Sequence, residues 1–197
     1  MCVLTMPKVG MAPVRKSQLI DATIQCIHEE GVARSSVQRI SKRAGLSPGI
    51  VAHYFDDKDG LLVATLQRLN KGLSNEIVRR MRSAKQPENR LWAILDAHFE
   101  PVHFAPDTVD AWFALWGKMR EIPDLQRVQR IYEARLRSNL MHSLRPLVAP
   151  ERVELVADTL GAMIDGLWAK SAQPTAEMSA ERARGVFKDA LSRLLDR

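Results

Sequence analysis

The sequence has few cysteines and no long apolar run, and each shortage excludes a class of protein. Only Cys2 and Cys26 are present, too few for a disulfide framework or for a metal site built from cysteine pairs. No stretch approaches the roughly eighteen apolar residues that span a bilayer. The N-terminal segment also lacks the apolar core of a signal peptide. We therefore expect a protein of the cytoplasm, a reducing compartment, with no membrane-spanning part.

Sequence motifs of catalysis are absent as well. The chain contains no glycine-rich phosphate loop, no G-x-S-x-G elbow and no H-E-x-x-H pair. His98 and His103 lie five positions apart, which places them on divergent faces of a helix and disfavours a shared metal ion. The sequence thus predicts a protein that is not an enzyme and that has no cofactor and no metal.

The positive charge is concentrated in one half of the chain. Residues 1–85 contain 14 Lys and Arg against 7 Asp and Glu, whereas residues 86–197 contain 15 against 16. A one-sided basic excess favours a polyanionic partner, through Coulomb attraction and counterion release. Nucleic acid is such a partner, and an anionic membrane surface is another.

Apolar residues recur at helical spacing along almost the whole chain, and no run alternates as a half-buried strand does. The pattern predicts an all-α protein of about nine helices. A short second helix, capped by Ser35 or Ser36, ends at Ala44 before Gly45. The other predicted helices cover residues 15–30, 48–53, 58–83, 91–103, 106–121, 123–147, 150–171 and 180–195.

The second and third helices are separated by a very short turn. Gly45 stops the second helix, Ser47 is a good cap for the third, and Pro48 is the residue best tolerated at a first helical position. Asp56 and Asp57 then supply caps for a long fourth helix. Two short helices joined so tightly form a helix-turn-helix, whose second member fits the major groove of DNA.

The segment from Ser36 to Leu61 reads SVQRISKRAGLSPGIVAHYFDDKDGL. Its caps, turn, aromatic pair and lysine resemble the TetR family of repressors over residues 15–66. Further segments, such as AWFALW at 111–116 and IDGLW at 164–168, are similar to a branch of that family that represses betaine synthesis in response to choline. The resemblance implies a homodimeric, ligand-responsive repressor that binds palindromic operator DNA, with a DNA-binding domain over residues 1–60 and an effector-binding and dimerisation domain over 61–197.

The third helix presents small and weakly polar residues that can approach base edges closely. Gly49 lets the backbone near the duplex, Ser47 and His53 can hydrogen-bond to it, and Pro48 and Ala52 can touch thymine methyl groups. We interpret these five residues as the recognition face. The alternative interpretation is an ordinary solvated helix surface.

Two residues beside this face are expected to contact the DNA backbone. The resemblance implies a phosphate contact for the Tyr54 hydroxyl, and Lys58 adds a charge at the N-terminus of the fourth helix. The remaining candidates lie on the second helix, where a basic run also serves solubility alone. They are Arg39, Lys42 and Arg43.

The C-terminal half is rich in tryptophan, and its effector site is predicted from that feature. Aromatic faces attract cations, and a quaternary ammonium such as choline is usually held by an aromatic box with a carboxylate. A tryptophan stripe at helical spacing is also typical of plain core. The candidate box residues are Phe99, Glu100, Asp110, Trp112, Trp116, Asp165 and Trp168.

The last two helices are predicted to form a four-helix dimer interface, as the resemblance implies, because small residues allow close helix approach. Burial within one subunit is the alternative. The candidate interface residues are Ala157, Leu160, Gly161, Ile164, Leu167, Phe187, Leu191 and Leu194.

Two alternative functions stay open on sequence grounds. A TetR-type repressor with these residues could respond to a polyamine, a drug or another amphipathic cation instead of choline. A helical protein that uses its basic half on acidic partners other than DNA is the second alternative.

Overall fold

The computed structural model describes residues 11–173 and 177–195, and this part of the chain contains α-helices, one 3₁₀ turn and no strand. The predicted all-α class is confirmed. The helices are α1 (Met11–Glu30), α2 (Val37–Arg43), α3 (Gly49–Phe55), α4 (Lys58–Ser83), α5 (Pro87–His98), α6 (Pro106–Gly117), α7 (Pro123–Leu144), α8 (Val153–Ser171) and α9 (Ala180–Leu195).

Several helix ends differ from those predicted. α1 begins at Met11 and α5 at Pro87, both earlier than expected, and α5 ends at His98 rather than at residue 103. The amide of Phe99 donates to the carbonyl of Asp96 at 3.1 Å, three residues back instead of four, so α5 closes in a tight turn there. α6 and α7 also end several residues early, and α8 begins only after the 3₁₀ turn Pro150–Arg152.

The helix-turn-helix is stabilised by local hydrogen bonds. The Ser36 hydroxyl accepts from the amide of Arg39 at 3.3 Å and caps α2, and Gly45 adopts a φ of 66° that favours glycine. The predicted side-chain cap at Ser47 is wrong. Its backbone carbonyl instead accepts from the amide of Ile50 at 3.1 Å, because the first turn of α3 is tight.

The junction between α3 and α4 is equally tight. Asp56 has a positive φ of 66°, and the Asp57 carboxylate accepts from the amide of Gly60 at 2.8 Å. Of the two predicted caps, therefore, only Asp57 caps α4, while Asp56 provides the bend between the helices. A Cβ atom at Gly60 would overlap the carbonyl oxygen of Phe55.

Two hydrophobic cores are present, and α4 contributes to both. The smaller core joins α1, α2, α3 and the start of α4 through Leu19, Ile40, Val51 and Leu61. The larger core gathers buried residues of α4 to α9, Leu66 among them, together with Ile27 at the end of α1. Because one continuous helix enters both cores, any tilt of α4 changes the position of α2 and α3.

An ionic cluster fastens α9 to α4 and α5. Arg80 pairs with Glu76 at 2.6 Å and also with Asp96 and Glu100. Arg184 on α9 pairs with the same two carboxylates, at 2.6 Å to Asp96 and 3.0 Å to Glu100. These groups are partly withdrawn from solvent, so the cluster holds three segments of the chain together more effectively than isolated surface pairs do.

Among the described helices, none combines the length and the apolar composition of a membrane span. Nor does any group of three or more His, Cys, Asp and Glu side chains there have the arrangement of a metal site.

The close contact at Gly60 gives a stability prediction. We expect Gly60→Ala to lower the free energy of unfolding by about 2 kcal/mol or more, because the new methyl group meets backbone rather than a movable side chain. Gly72→Ala in the same helix is the matched control. Its Cβ atom would make an ordinary 3.6 Å contact with His103, so a gain of about 0.5–1 kcal/mol is expected. Urea unfolding of both variants measures the difference, and equal stabilities would contradict this description of the junction.

Candidate functional site

The structure leaves the predicted recognition face uncovered. Ser47, Pro48, Gly49, Ala52 and His53 are all exposed, and they lie at or near the N-terminal half of α3. The opposite side of the same helix is fixed to the smaller core by Val51, which is 1% exposed. The exposed side of α3 is therefore a continuous surface without acidic or basic side chains other than His53.

Tyr54 lies at the edge of this face and is half-buried. Its ring centroid is 4.6 Å from that of His53, and the Lys16 ammonium lies 5.8 Å from the ring centre of Tyr54 and 5.7 Å from that of Phe55. This cation–π contact brings a positive charge from α1 to the aromatic pair. Lys16 was not among the sequence candidates, since nothing in its local pattern distinguishes it from other exposed lysines.

The basic candidates on α2 differ in their partners. Arg39 is paired with Glu30 and Arg43 with Glu29, both at the end of α1. Lys42 is exposed and forms no ion pair with the described residues. Such exposed pairs contribute little stability, so either arginine could leave its carboxylate for a phosphate group of DNA. Lys42 has no such pair to break.

Lys58 has a structural partner. Its Nζ atom donates to the backbone carbonyl of Val32 at 3.0 Å and so ties the start of α4 to the loop after α1. One of its three ammonium donors is therefore used within the protein. A phosphate contact by Lys58 depends on the two others.

The predicted aromatic box is closed. Trp112 is 2% exposed, Trp168 3% and Phe99 1%, and Trp112 packs edge-to-face on Trp168 with ring centroids 5.5 Å apart. Trp116 packs on Trp112 in the same way, at 5.8 Å. In this structure the rings fill one another's space as core residues do, which is the alternative interpretation, and a cation box at these positions stays a prediction.

Two of the three predicted carboxylates are also engaged elsewhere. Glu100 accepts from Arg80 and Arg184 in the ionic cluster, and Asp110 accepts from the His28 ring at 2.6 Å. Neither faces the tryptophans as a free acceptor. Only Asp165 lines an open cavity, which lies between α7 and α8 and also includes Tyr132.

His98 and Tyr132 join this aromatic interior through a buried hydrogen-bond chain. His98 Nδ1 donates to the carbonyl of Ile94 at 2.8 Å, so its Nε2 accepts from the Tyr132 hydroxyl, also at 2.8 Å. Trp168 Nε1 donates to the backbone carbonyl of His98 at 3.2 Å. Burial lowers the pKa of His98 to about 4 and raises that of Tyr132, so both groups are neutral at physiological pH.

Other polar residues of the interior were missed by sequence reasoning. Both side-chain polar atoms of Asn70, the indole nitrogen of Trp116 and the Oε1 atom of Gln129 are buried and have no hydrogen-bond partner among the described residues. Asn70 lines a groove between α4 and α7, and Gln129 lines the cavity between α7 and α8. Asn70 and Gln129 are polar residues within the apolar stripes of α4 and α7, and that feature of the sequence could have identified them.

Two long-range hydrogen bonds connect α1 with α6. The Gln25 amide donates to Asp107 at 2.7 Å, and His28 donates to Asp110 at 2.6 Å. α6 also carries Trp112, so a helix of the aromatic interior is bonded to α1, which packs against α2 and α3.

The predicted dimer interface is largely buried within one subunit, and this part of the prediction needs correction. Gly161 and Leu194 are half-buried. Fully covered by the same chain are Ala157, Leu160, Ile164, Leu167, Phe187 and Leu191. The uncovered side of α8 carries Ala162, Gly166 and Leu155, which is 68% exposed, and α9 adds Val186 at 44%. The face of α8 and α9 that a second copy could contact is therefore a different side of these helices from the predicted one.

Comparison with known proteins agrees with this geometry. Residues 19–65 match the bacterial regulatory proteins of the TetR family, and residues 87–196 match the C-terminal domain of BetI-type transcriptional repressors. The chain is 41% identical over 182 residues to the HTH-type transcriptional regulator BetI of Stenotrophomonas maltophilia (strain R551-3), an alignment that covers 92% of this chain and 93% of that protein.

Solved structures show the same fold. A transcriptional regulator from Pseudomonas aeruginosa PAO1 superposes with a TM-score of 0.81 at 28% identity, covering 93% of this chain and 91% of that one. A regulator from Saccharomonospora viridis in complex with choline has a TM-score of 0.81 at 16% identity, covering 91% and 96%. At that identity the likeness concerns the fold alone.

Fold, helix-turn-helix and relatives together define the class of protein, a ligand-responsive, DNA-binding transcriptional repressor. The chain belongs to the TetR family, with a C-terminal domain of the BetI type. The resemblance drawn from the sequence is thereby confirmed.

Proposed function

We propose that two copies of the chain bind a palindromic operator through α3, and that choline or a related quaternary amine releases them. The regulated genes would be those of choline-to-glycine-betaine synthesis or transport. The observation that carries the proposal is the exposed, uncharged face of α3 beside a half-buried Tyr54. A bacterial chromosome lies in the cytoplasm, and the proposal locates the protein there.

The DNA contacts divide into two groups. Gly49, Ala52 and His53 face base edges, where small side chains permit close approach and His53 supplies a hydrogen bond. Tyr54 and Lys42 contact phosphates and set the orientation of the module. Arg39 and Arg43 also contact phosphates when they leave Glu30 and Glu29. Lys58 does so through the ammonium hydrogens that do not bond to Val32.

A palindromic operator requires a two-fold pair of subunits, whose α3 helices enter successive major grooves about 34 Å apart. The uncovered side of α8 supports such a pairing. Ala162 and Gly166 permit close helix approach, and the exposed Leu155 gains from burial. In this arrangement α8 and α9 of both subunits form the interface.

The effector assignment is supported by relatives and by chemistry. Relatives at 35–41% identity carry the name BetI, and a protein of the same fold binds choline. The rings of the aromatic interior would suit a cation that cannot donate strong hydrogen bonds, once they separate to admit it. We infer that the effector acts on α6 and α7, which carry Trp112 and Tyr132.

The path from effector to DNA is short. α6 is bonded to α1 through Gln25–Asp107 and His28–Asp110, and α4 is part of both cores. A ligand that binds better when α6 and α4 are tilted stabilises the tilted state by its difference in affinity. The two α3 helices then no longer match successive grooves.

Lys42→Ala tests the DNA face. We expect it to weaken binding to specific and scrambled duplexes alike and to reduce the slope of log affinity against log salt by about 1, as the loss of one phosphate contact does. Lys71→Ala, another exposed lysine but on α4, is the matched control and should change neither quantity. Fluorescence anisotropy with a palindrome selected by the protein from random duplexes measures both. An unchanged slope for Lys42→Ala would contradict this assignment.

Choline tests the effector. With wild-type protein on the selected palindrome, saturating choline or betaine aldehyde should lower DNA affinity at least tenfold, a coupling of about 1.4 kcal/mol. Release by spermidine with no effect of choline would move the effector to the polyamine class. Equal affinity for the palindrome and a scrambled duplex would instead favour a non-specific basic protein.

A further inference from the structure

Lys16 of α1 lies against the aromatic pair at the end of α3. Its Nζ atom is 5.8 Å from the ring centre of Tyr54 and 5.7 Å from that of Phe55, within cation–π range of both rings. The lysine side chain is exposed, and Tyr54 is half-buried. A helix outside the helix-turn-helix therefore brings a cation to the edge of the recognition face.

The charge of Lys16 is not offset by a carboxylate. The first carboxylate of α1, that of Asp21, accepts from Arg68 at 2.7 Å and from the Ser17 hydroxyl at 3.3 Å. Lys16 itself forms no ion pair and no hydrogen bond with the described residues. An aromatic face attracts an ammonium without neutralising its charge, and all three N–H donors stay available for hydrogen bonds to an anion.

The cations already assigned to the DNA backbone are more constrained or lie further along the surface. Arg39 and Arg43 form ion pairs with the end of α1, and Lys58 uses one donor on a backbone carbonyl. Lys42 is exposed and lies on α2. Lys16, by contrast, rests on the ring of Tyr54 itself, so it is the cation best placed to act together with the Tyr54 hydroxyl.

The ring of Tyr54 fixes where these two donors meet. It packs on His53 with ring centroids 4.6 Å apart, and its hydroxyl forms no hydrogen bond with the described residues. A phosphate group has several acceptor oxygens, so one oxygen can accept from the hydroxyl and another from an ammonium that rests on the same ring. A charge-assisted hydrogen bond of this kind is stronger than one between neutral groups.

We propose that Lys16 and Tyr54 together bind one phosphate of the operator, so that α1 takes part in DNA binding beside α3. This inference rests on the proposed function and adds a contact from outside the helix-turn-helix. The contact reads no base. It sets the angle at which α3 enters the major groove, because a phosphate held by two helices fixes the orientation of both.

The contact is also connected to α4. Arg68 of α4 donates to the Ser17 hydroxyl at 2.6 Å and pairs with Asp21 at 2.7 Å, and Ser17 directly follows Lys16. A tilt of α4 therefore displaces the first turns of α1 with it. The shared phosphate is lost in the same movement that takes α3 out of register with the groove.

Lys16→Met tests the contact, because methionine keeps an unbranched apolar side chain on the rings and removes the charge. At about 0.15 M salt we expect the variant to bind the selected palindrome about fivefold more weakly for each subunit, as the loss of one phosphate contact does. The slope of log affinity against log salt should fall by about 1 for each subunit. Fluorescence anisotropy measures both quantities.

Three comparisons control this experiment. Lys16→Arg keeps the charge and should retain most of the affinity. Lys71→Ala removes an exposed lysine of α4 and should change neither affinity nor slope. All variants are first compared with the wild type in thermal unfolding. An unchanged slope for Lys16→Met would overturn the contact even if affinity falls, because a lysine that only holds the Tyr54 ring in place releases no counterion.

A backbone scan tests whether Lys16 and Tyr54 share their phosphate. Each duplex carries an uncharged methylphosphonate at one backbone position of both half-sites, and binding is measured for wild type, Lys16→Met and Tyr54→Phe. The position at which Lys16→Met is less sensitive than the wild type should also be the position at which Tyr54→Phe is less sensitive. Two different positions would overturn the shared contact.

The outcomes separate this inference from the proposed function. If Lys42→Ala lowers the salt slope on the palindrome and Lys16→Met does not, operator binding stands and Lys16 has no part in it. If the wild type binds palindrome and scrambled duplex equally well, and Lys16→Met lowers the slope on both, the phosphate contact stands and operator recognition is wrong.

Discussion

The structure depends on one continuous helix that is shared by two hydrophobic cores. Leu61 packs with α1, α2 and α3, whereas Leu62, the next residue of α4, packs in the larger core. A helix cannot bend between adjacent residues without losing backbone hydrogen bonds, and Gly60 and Asp57 fix its first turn against α3. Movement of α4 in the larger core must therefore move α3 as well.

The bonds between α1 and α6 add a second connection between the two parts of the protein. The α6 carboxylates Asp107 and Asp110 contact α1, while Trp112, one turn further along, contacts Tyr132 and Trp168. A ligand that displaces Tyr132 thus acts on α6 through packed rings, which shift as rigid bodies because the interior is dense. The buried aromatic cluster connects α6 with α7 and α8, so a change at any one of these helices reaches the other two.

Sequence reasoning succeeded where local chemistry decides and failed where tertiary contacts decide. The predicted bounds of α4 and the predicted start of α9 match the structure, because Asp57 caps α4 and α9 has a sharp amphipathic pattern. The helix-turn-helix followed from Gly45 and Pro48 in the same way. The end of α5 was missed, because Phe99 and Phe104 pack on each other there with ring centroids 5.6 Å apart. No local sequence pattern predicts this contact.

The candidate effector site shows the same division. The sequence suggests the residue types of such a site, aromatic rings with carboxylates, but not the partners that these carboxylates have in the fold. Glu100 pairs with Arg80 and Arg184, and Asp110 pairs with His28; all of these partners are distant in sequence. Asp165 retained its role as a candidate because no cation from another helix reaches it. Gln129 and Tyr132 were overlooked because α7 looks like an ordinary charged surface helix in sequence.

The central claim is that effector binding changes the separation of the two α3 helices in a dimer. Pulsed electron–electron resonance measures it directly, with a spin label on Gln38→Cys, an exposed position of α2, after replacement of Cys2 by Ser; Cys26 is buried. The account predicts one main inter-subunit distance that shifts by several Å at saturating choline, against a groove spacing of about 34 Å. An unchanged distance under conditions in which choline dissociates the operator complex would contradict it.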